Sequence, residues 1–186
     1  VTAEPQPIIC TGAEQRLAVE HWLLSTLPNR EARTKARAQW AEHGLAMLPL
    51  GGLMSAVHVP AALVQALART LRPSDLDAFL AERLDGGPVV CAMHGGWRYY
   101  LLVPGRTPLT WHEEAKRWQK PGVGVLGRGA YLGVPPVDRT EYNAGTRDSY
   151  WSVPMQSLGE LCDPLVVGRF VADAVHAAAA LEGAAS

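Results

Sequence analysis

Hydrophobic positions along this chain keep two different periods. In "GAEQRLAVEHWLLSTL" (12–27), Leu17, Trp22, Leu23, Leu24 and Leu27 recur with roughly helical spacing. Thr11 precedes that run and Glu14 follows three residues later, a capping-box pattern. Pro28-Asn29 breaks the helix, and "REARTKARAQWAEHG" (30–44) predicts a second one that stops at Gly44. The period then shortens. "LAMLPLGG" (45–52) and "LMSAVHV" (53–59) read as short strands joined by Gly51-Gly52. "PAALVQALART" (60–70) opens with proline at a first-turn position, and "PSDLDAFLAERL" (73–84) is a further helix with Ser74 as its cap. "PVVCAM" (88–93) and "WRYYLLVP" (97–104) flank His94-Gly95-Gly96, a hairpin signal. A polar, Trp-bearing connection fills 105–121. "GVGVL" (122–126) and "AYLGV" (130–134) follow with a tight Gly-Arg-Gly link, and "YWSV" (150–153) is the last strand, paired with 130–134 across a polar loop. "DPLVVGRFVADAVHAAAALE" (163–182) ends the pattern as a long helix. Its stripe of Val167, Phe170, Val171, Ala174, Ala178 and Leu181 is expected on the sheet. The class is α+β: a mainly antiparallel sheet, helices before it and one long C-terminal helix packed on it.

The 186 residues fit a loose tail (1–11) and one α+β domain (12–186). A composition 48% apolar and 19% charged belongs to a folded globule. The net charge of −1 gives no global attraction to polyanions, but its distribution is uneven. Between Trp97 and Arg147 stand Arg98, Arg106, Lys116, Arg117, Lys120, Arg128, Arg139 and Arg147, against only Glu113, Glu114, Asp138 and Glu141. GC-rich coding accounts for the general arginine excess and for the abundant Ala, Gly and Pro; the asymmetry is a separate signal. Cys10, Cys91 and Cys162 are far apart and form no CxxC, which suits a reduced, cytoplasmic chain. "VTAEPQPIIC" lacks the charge and apolar run of a signal peptide, and no segment reads as a membrane span.

The chemistry-bearing residues mostly have plain structural readings. Cys91-x-x-His94 lacks two further zinc ligands, with His112 and Glu113 the nearest candidates. His112-Glu113-Glu114 is not HExxH, and Gly122-x-Gly124-x-x-Gly127 leads into a strand rather than a helix. Asp75-Leu76-Asp77 begins a helix, where acids suit the dipole and Asp77 takes the capping-box position. No metal or cofactor is implied. The remaining constellation is basic and aromatic. Trp111 and Trp118 lie beside Lys116 and Arg117 in the polar connection, and Arg98, Arg128, Arg139 and Arg147 surround it in sequence. Arginines on phosphate with aromatics on bases is the recurring scheme for single-strand recognition. Gly127 and Gly129 leave room for a ligand beside Arg128.

Two stretches resemble the primase–polymerase domain of bifunctional DNA primase/polymerase proteins. One is Trp40-Ala41-Glu42-His43-Gly44 leading into Ala46-Met47-Leu48-Pro49-Leu50. The other is Gly129-Ala130-Tyr131-Leu132-Gly133-Val134-Pro135-Pro136 with the returning Tyr150-Trp151. As a whole, 36–154 resembles the short, divergent primase–polymerase-like proteins of actinobacteria. The resemblance implies a nucleic-acid or nucleotide ligand. It also implies metal-binding acids on a central strand, and here the chain departs from the family: neither "PVVCAM" nor "WRYYLLVP" contains an acid. Nucleotidyl transfer on two metals needs those carboxylates.

The expected protein is therefore a catalytically degenerate primase–polymerase-like domain with no catalytic residue. It binds single-stranded nucleic acid or nucleotides through a basic, Trp-bearing face, away from membranes. A protein-interaction module with a peptide-binding groove is the alternative, and a small-molecule enzyme using Cys91 or His112 a third. Purified protein with Mg²⁺ or Mn²⁺ is expected to leave a primed template unextended in a gel assay; extension abolished by replacing any one acid would overturn that.

Overall fold

A computed structural model of the chain describes residues 12–184. Helices α1 (Gly12–Leu24) and α2 (Arg30–His43) come first. Asn29 caps α2 by accepting from the Ala32 N–H at 2.9 Å, and Gly44 closes it with φ 67°. The Trp40 indole N–H then donates to the Val134 carbonyl at 2.8 Å, fixing the end of α2 to a strand far away in sequence. Thr11, the expected cap of α1, lies with the rest of the predicted tail outside the described residues.

Among the described residues there are seven strands: β1 (Ala46–Pro49), β2 (Met54–Pro60), β3 (Val89–Ala92), β4 (Arg98–Pro104), β5 (Gly124–Leu126), β6 (Tyr131–Val134) and β7 (Tyr150–Val153). Five form an antiparallel sheet in the order β5-β2-β4-β3-β7. β1 and β6 make a separate antiparallel ribbon. The other helices are α3 (Ala61–Ala68), α4 (Pro73–Arg83), the short α5 (Thr107–Thr110) and α6 (His112–Trp118), and α7 (Pro164–Ala184). The class is α+β, as the period changes predict.

The sheet is covered on both faces, so its strands read as apolar runs without polar alternation. Val57, Val59, Tyr99, Leu101, Val103, Val89 and Cys91 point into a core shared with α3, α4 and α7. Met54, Ala56, Leu102, Val90 and Trp151 point the other way, into a core shared with α1, α2 and the β1–β6 ribbon.

Several local expectations are corrected. Gly51-Gly52 and Gly127-Arg128-Gly129 do link consecutive strands, but the strands on either side do not pair with each other. Each carries the chain between the ribbon and the sheet, and the two corners touch: a Cβ on Gly51 (φ 90°) would collide with the Arg128 backbone. β6 does not pair with β7, which lies against β3. The polar connection at 105–121 contains α5 and α6. α4 begins at Pro73 behind Arg72, with no side-chain cap, so Ser74 does not cap it. α7 is long and apolar enough, by length and composition only, to cross a membrane, where the sequence reading expected no such segment, and 22% of its apolar stretch is buried here.

α7 buries Val167, Phe170, Val171 and Ala174 over the sheet core and packs chiefly along α3. The predicted stripe ends early, because Leu181 is 57% exposed. Phe170→Ala should therefore cost about 3–5 kcal/mol in denaturant unfolding. Leu181→Ala should cost less than about 0.5 kcal/mol. Equal effects of the two would contradict this packing.

Candidate functional site

The eight basic and aromatic residues singled out from the sequence do not share one face. Trp118 is buried and meets Trp111 edge-on, with ring centroids 5.2 Å apart, in the layer that holds α7. This corrects its expected role as an exposed stacking ring; Trp111 is half-buried in the same contact. Lys116 pairs with Glu113 at 2.9 Å on exposed α6, where Arg117 is also exposed. Arg139 reaches back to the Gly44 carbonyl at 3.3 Å and lies 3.8 Å from Asp148, so it braces the end of α2. Arg128 is exposed at the corner between β5 and β6.

Arg98 and Arg147 both lie by the β3–β4 turn, though Arg98 does not line the cleft that Arg147 enters. Arg98 opens β4, is exposed, and has its guanidinium near Gly96. Arg147 has φ 55°, held by its N–H to the Asn143 carbonyl at 2.9 Å. It lines a cleft of about 330 Å³ with Met93, His94, Gly95, Trp97 and Thr146.

Two neighbours of Arg98 escaped the sequence reading. β2 and β4 place His58 directly opposite Tyr100, two positions along from Arg98 and on the same face. Both rings are half-buried, with centroids 6.1 Å apart and planes tilted by 55°. On the other side His58 faces Gly124, where a Cβ would collide with the imidazole Nε2. Glycine at that position is what lets the ring lie across the neighbouring strand. Burial, then the Arg98 charge, lowers the His58 pKa, so the ring is neutral near pH 7. The detectable signal was a histidine breaking the apolar run of β2. Its use required the β2–β4 register.

None of the five strands of the sheet contains Asp or Glu. An acidic side chain reaches it from a helix. Asp77, read from the sequence as a capping-box residue, instead accepts hydrogen bonds from the Tyr150 hydroxyl at 3.0 and 3.2 Å and from the Ser152 hydroxyl. It joins α4 to the edge strand β7. Cys91, fully buried next to this cluster, has its thiol pushed up to about 12 by desolvation, which removes it as a nucleophile. His94, its partner in the zinc reading, is exposed at the turn while Cys91 points into the core. His112 is exposed at the start of α6. Among the described residues no three His, Cys, Asp or Glu side chains group as metal ligands.

No family model matches this chain, and neither does any curated protein or solved structure.

Burial raises the Asp77 carboxyl from 3.8 to about 6, and the Ser152 and Tyr150 hydrogen bonds only partly offset it. A folded pKa above the unfolded one means that the native state favours the proton. Stability from this group is therefore full below about pH 4 and lost as pH rises through about 6. Asp77→Asn keeps a carbonyl acceptor and removes the charge. It should flatten the stability profile between pH 4 and 7 and raise stability at pH 8 by about 1–2 kcal/mol, allowing for partial solvent screening. Urea unfolding at pH 4.5 and 8 reads this; an unchanged slope in the variant would contradict it.

Proposed function

We propose that this chain is a primase–polymerase-like domain without nucleotidyl-transfer chemistry, which binds single-stranded nucleic acid or nucleotides in the cytoplasm. The observation that carries the reading is the strip on the sheet: the facing rings of His58 and Tyr100, with Arg98 next along the same face. Half-buried rings held by two strands give bases a surface to stack on at little entropic cost, and a guanidinium at the end of the strip meets phosphate. Arg147 and His94 add donors around the same turn. With no carboxylate on the sheet, nothing on the strip repels a phosphodiester and nothing there can hold two catalytic metals.

A second reading has its own observation. Two clefts of about 240 and 370 Å³ share Arg16, Val137 and Asp138 and run along α1. Val19, Met155, Leu17 and Trp40 give them apolar walls. A groove of that kind suits an extended peptide, the protein-interaction alternative.

Titration of fluorescent single-stranded DNA at two salt concentrations separates the two. Binding should fall with salt. Arg98→Ala should weaken it about tenfold and lower the salt slope by roughly 0.7, one phosphate's share on a single strand. The melting temperature should hold, since Arg98 is exposed. Wild-type protein that binds no oligonucleotide at low salt sinks the nucleic-acid reading and leaves the groove along α1 as the functional surface.

A further inference from the structure

Tyr131 is the only exposed Phe, Tyr or Trp among the described residues, at 61% exposure. It stands on the outer side of the β1–β6 ribbon. Its cross-strand partner there is Pro49, and the next pair along is Gly133 with Met47, itself 48% exposed. Leu45 and the Met47 sulfur come within ordinary contact of where a Gly133 side chain would begin. The result is a flat apolar shelf with one free aromatic ring at its edge.

Arg128 lies three residues before Tyr131, with Gly129 at φ 90° between them. Its guanidinium enters no salt bridge or side-chain hydrogen bond among the described residues. The corner is built from two stretches, 44–60 and 121–137, that contain no acid at all. An unpaired cation, an exposed ring and no local negative charge complement a polyanion that carries aromatic bases. They offer a basic peptide no complement.

The corner is also in reach of the proposed strip. β5 pairs Gly124 with His58 and runs on to Arg128, while Gly51, against the Arg128 backbone, is bonded through its N–H to the Met54 carbonyl at 2.8 Å. Met54 and His58 are four positions apart on β2, about 13 Å at ordinary strand rise. A strand of roughly 4–16 nucleotides, the span usual for single-strand binding folds, covers that distance.

The geometry points to a second contact for the same strand: a base stacks on Tyr131 while Arg128 takes an adjacent phosphate. This rests on the nucleic-acid reading, and the experiment separates the two. Binding of oligothymidylates of 2 and 16 nucleotides is measured for wild type, Tyr131→Leu, Tyr131→Phe and Arg128→Ala, with melting temperature as the fold control. Tyr131→Leu should weaken the 16-mer about tenfold and the dinucleotide less than about twofold. Tyr131→Phe, which keeps the ring, should bind the 16-mer like wild type. Arg128→Ala should lower the salt slope for the 16-mer alone. If Tyr131→Leu binds the 16-mer as wild type does while Arg98→Ala is impaired, the second contact is wrong and the first stands. Equal losses on both lengths overturn a separate contact. No binding of either length by wild type removes the underlying reading as well.

Discussion

The antiparallel ladder between β2 and β4 sets the rest of the molecule. It runs in unbroken register from Met54 opposite Pro104 to Pro60 opposite Arg98. Its period of two sends Val57, Val59, Tyr99, Leu101 and Val103 toward α3, α4 and α7, and Met54, Ala56 and Leu102 toward α1, α2 and the ribbon. The same alternation continues past the end of the second core, where nothing large covers the face fully, and delivers His58, Tyr100 and Arg98 there. A slip of one residue would drive Arg98 and His58 into the helical layer and turn Val57 and Tyr99 outward. Burying an unpaired guanidinium costs several kcal/mol, so the hydrophobic pattern and the position of the strip enforce each other.

The elements whose period is strong were legible in the sequence, and their partners were not. α2 carries its own stop at Gly44, and the helical spacing of Val167, Phe170, Val171 and Ala174 survives intact in α7. The errors concern connections. Gly51-Gly52 and Gly127-Arg128-Gly129 have the chemistry of tight links, and nothing local says whether the strands on either side pair with each other. Here a sheet already buried by helices on one side needs a lid on the other, and the lid is made from strands that sequence neighbours hand over at these corners. Leu50 donates to the Ala130 carbonyl at 2.9 Å, a bond that no local pattern predicts. α6 went unseen because its first residues are charged on every side and its apolar residue, Trp118, comes at the end.

The site shows the same division. Exposure of Arg98, Arg128 and Arg147 follows from charge alone. Arg139 is also charged, yet it is absorbed by the end of α2, and the two tryptophans expected on the surface pack on each other. What the sequence lacked was the cross-strand neighbour. His58 has no meaning until Tyr100 stands opposite it and Gly124 leaves it room. Asp77 shows the reverse error. A carboxylate one turn from a helix start has a ready local explanation, but its partners, Tyr150 and Ser152, lie more than seventy residues away on an edge strand. Holding that edge matters because β7 is only four residues long; besides its ladder with β3, the Trp151 bonds tie it to the 135–139 segment.

The absence of acids from the sheet also bears on how such a face would meet a ligand. Carboxylates in a metal-dependent polymerase repel the phosphates they work on until the cations bridge them. A face that carries them binds nucleic acid strongly only when loaded. Here the strip carries a permanently charged arginine beside a histidine that burial and that arginine keep neutral. In the proposed reading, attraction to phosphate would depend on Arg98 and on salt, and very little on metal or on pH near neutrality. Stacking on Tyr100 would add a part that salt does not screen. In the proposed reading, losing the carboxylates does more than abolish transfer chemistry: it turns a metal-gated surface into one that holds a strand unaided.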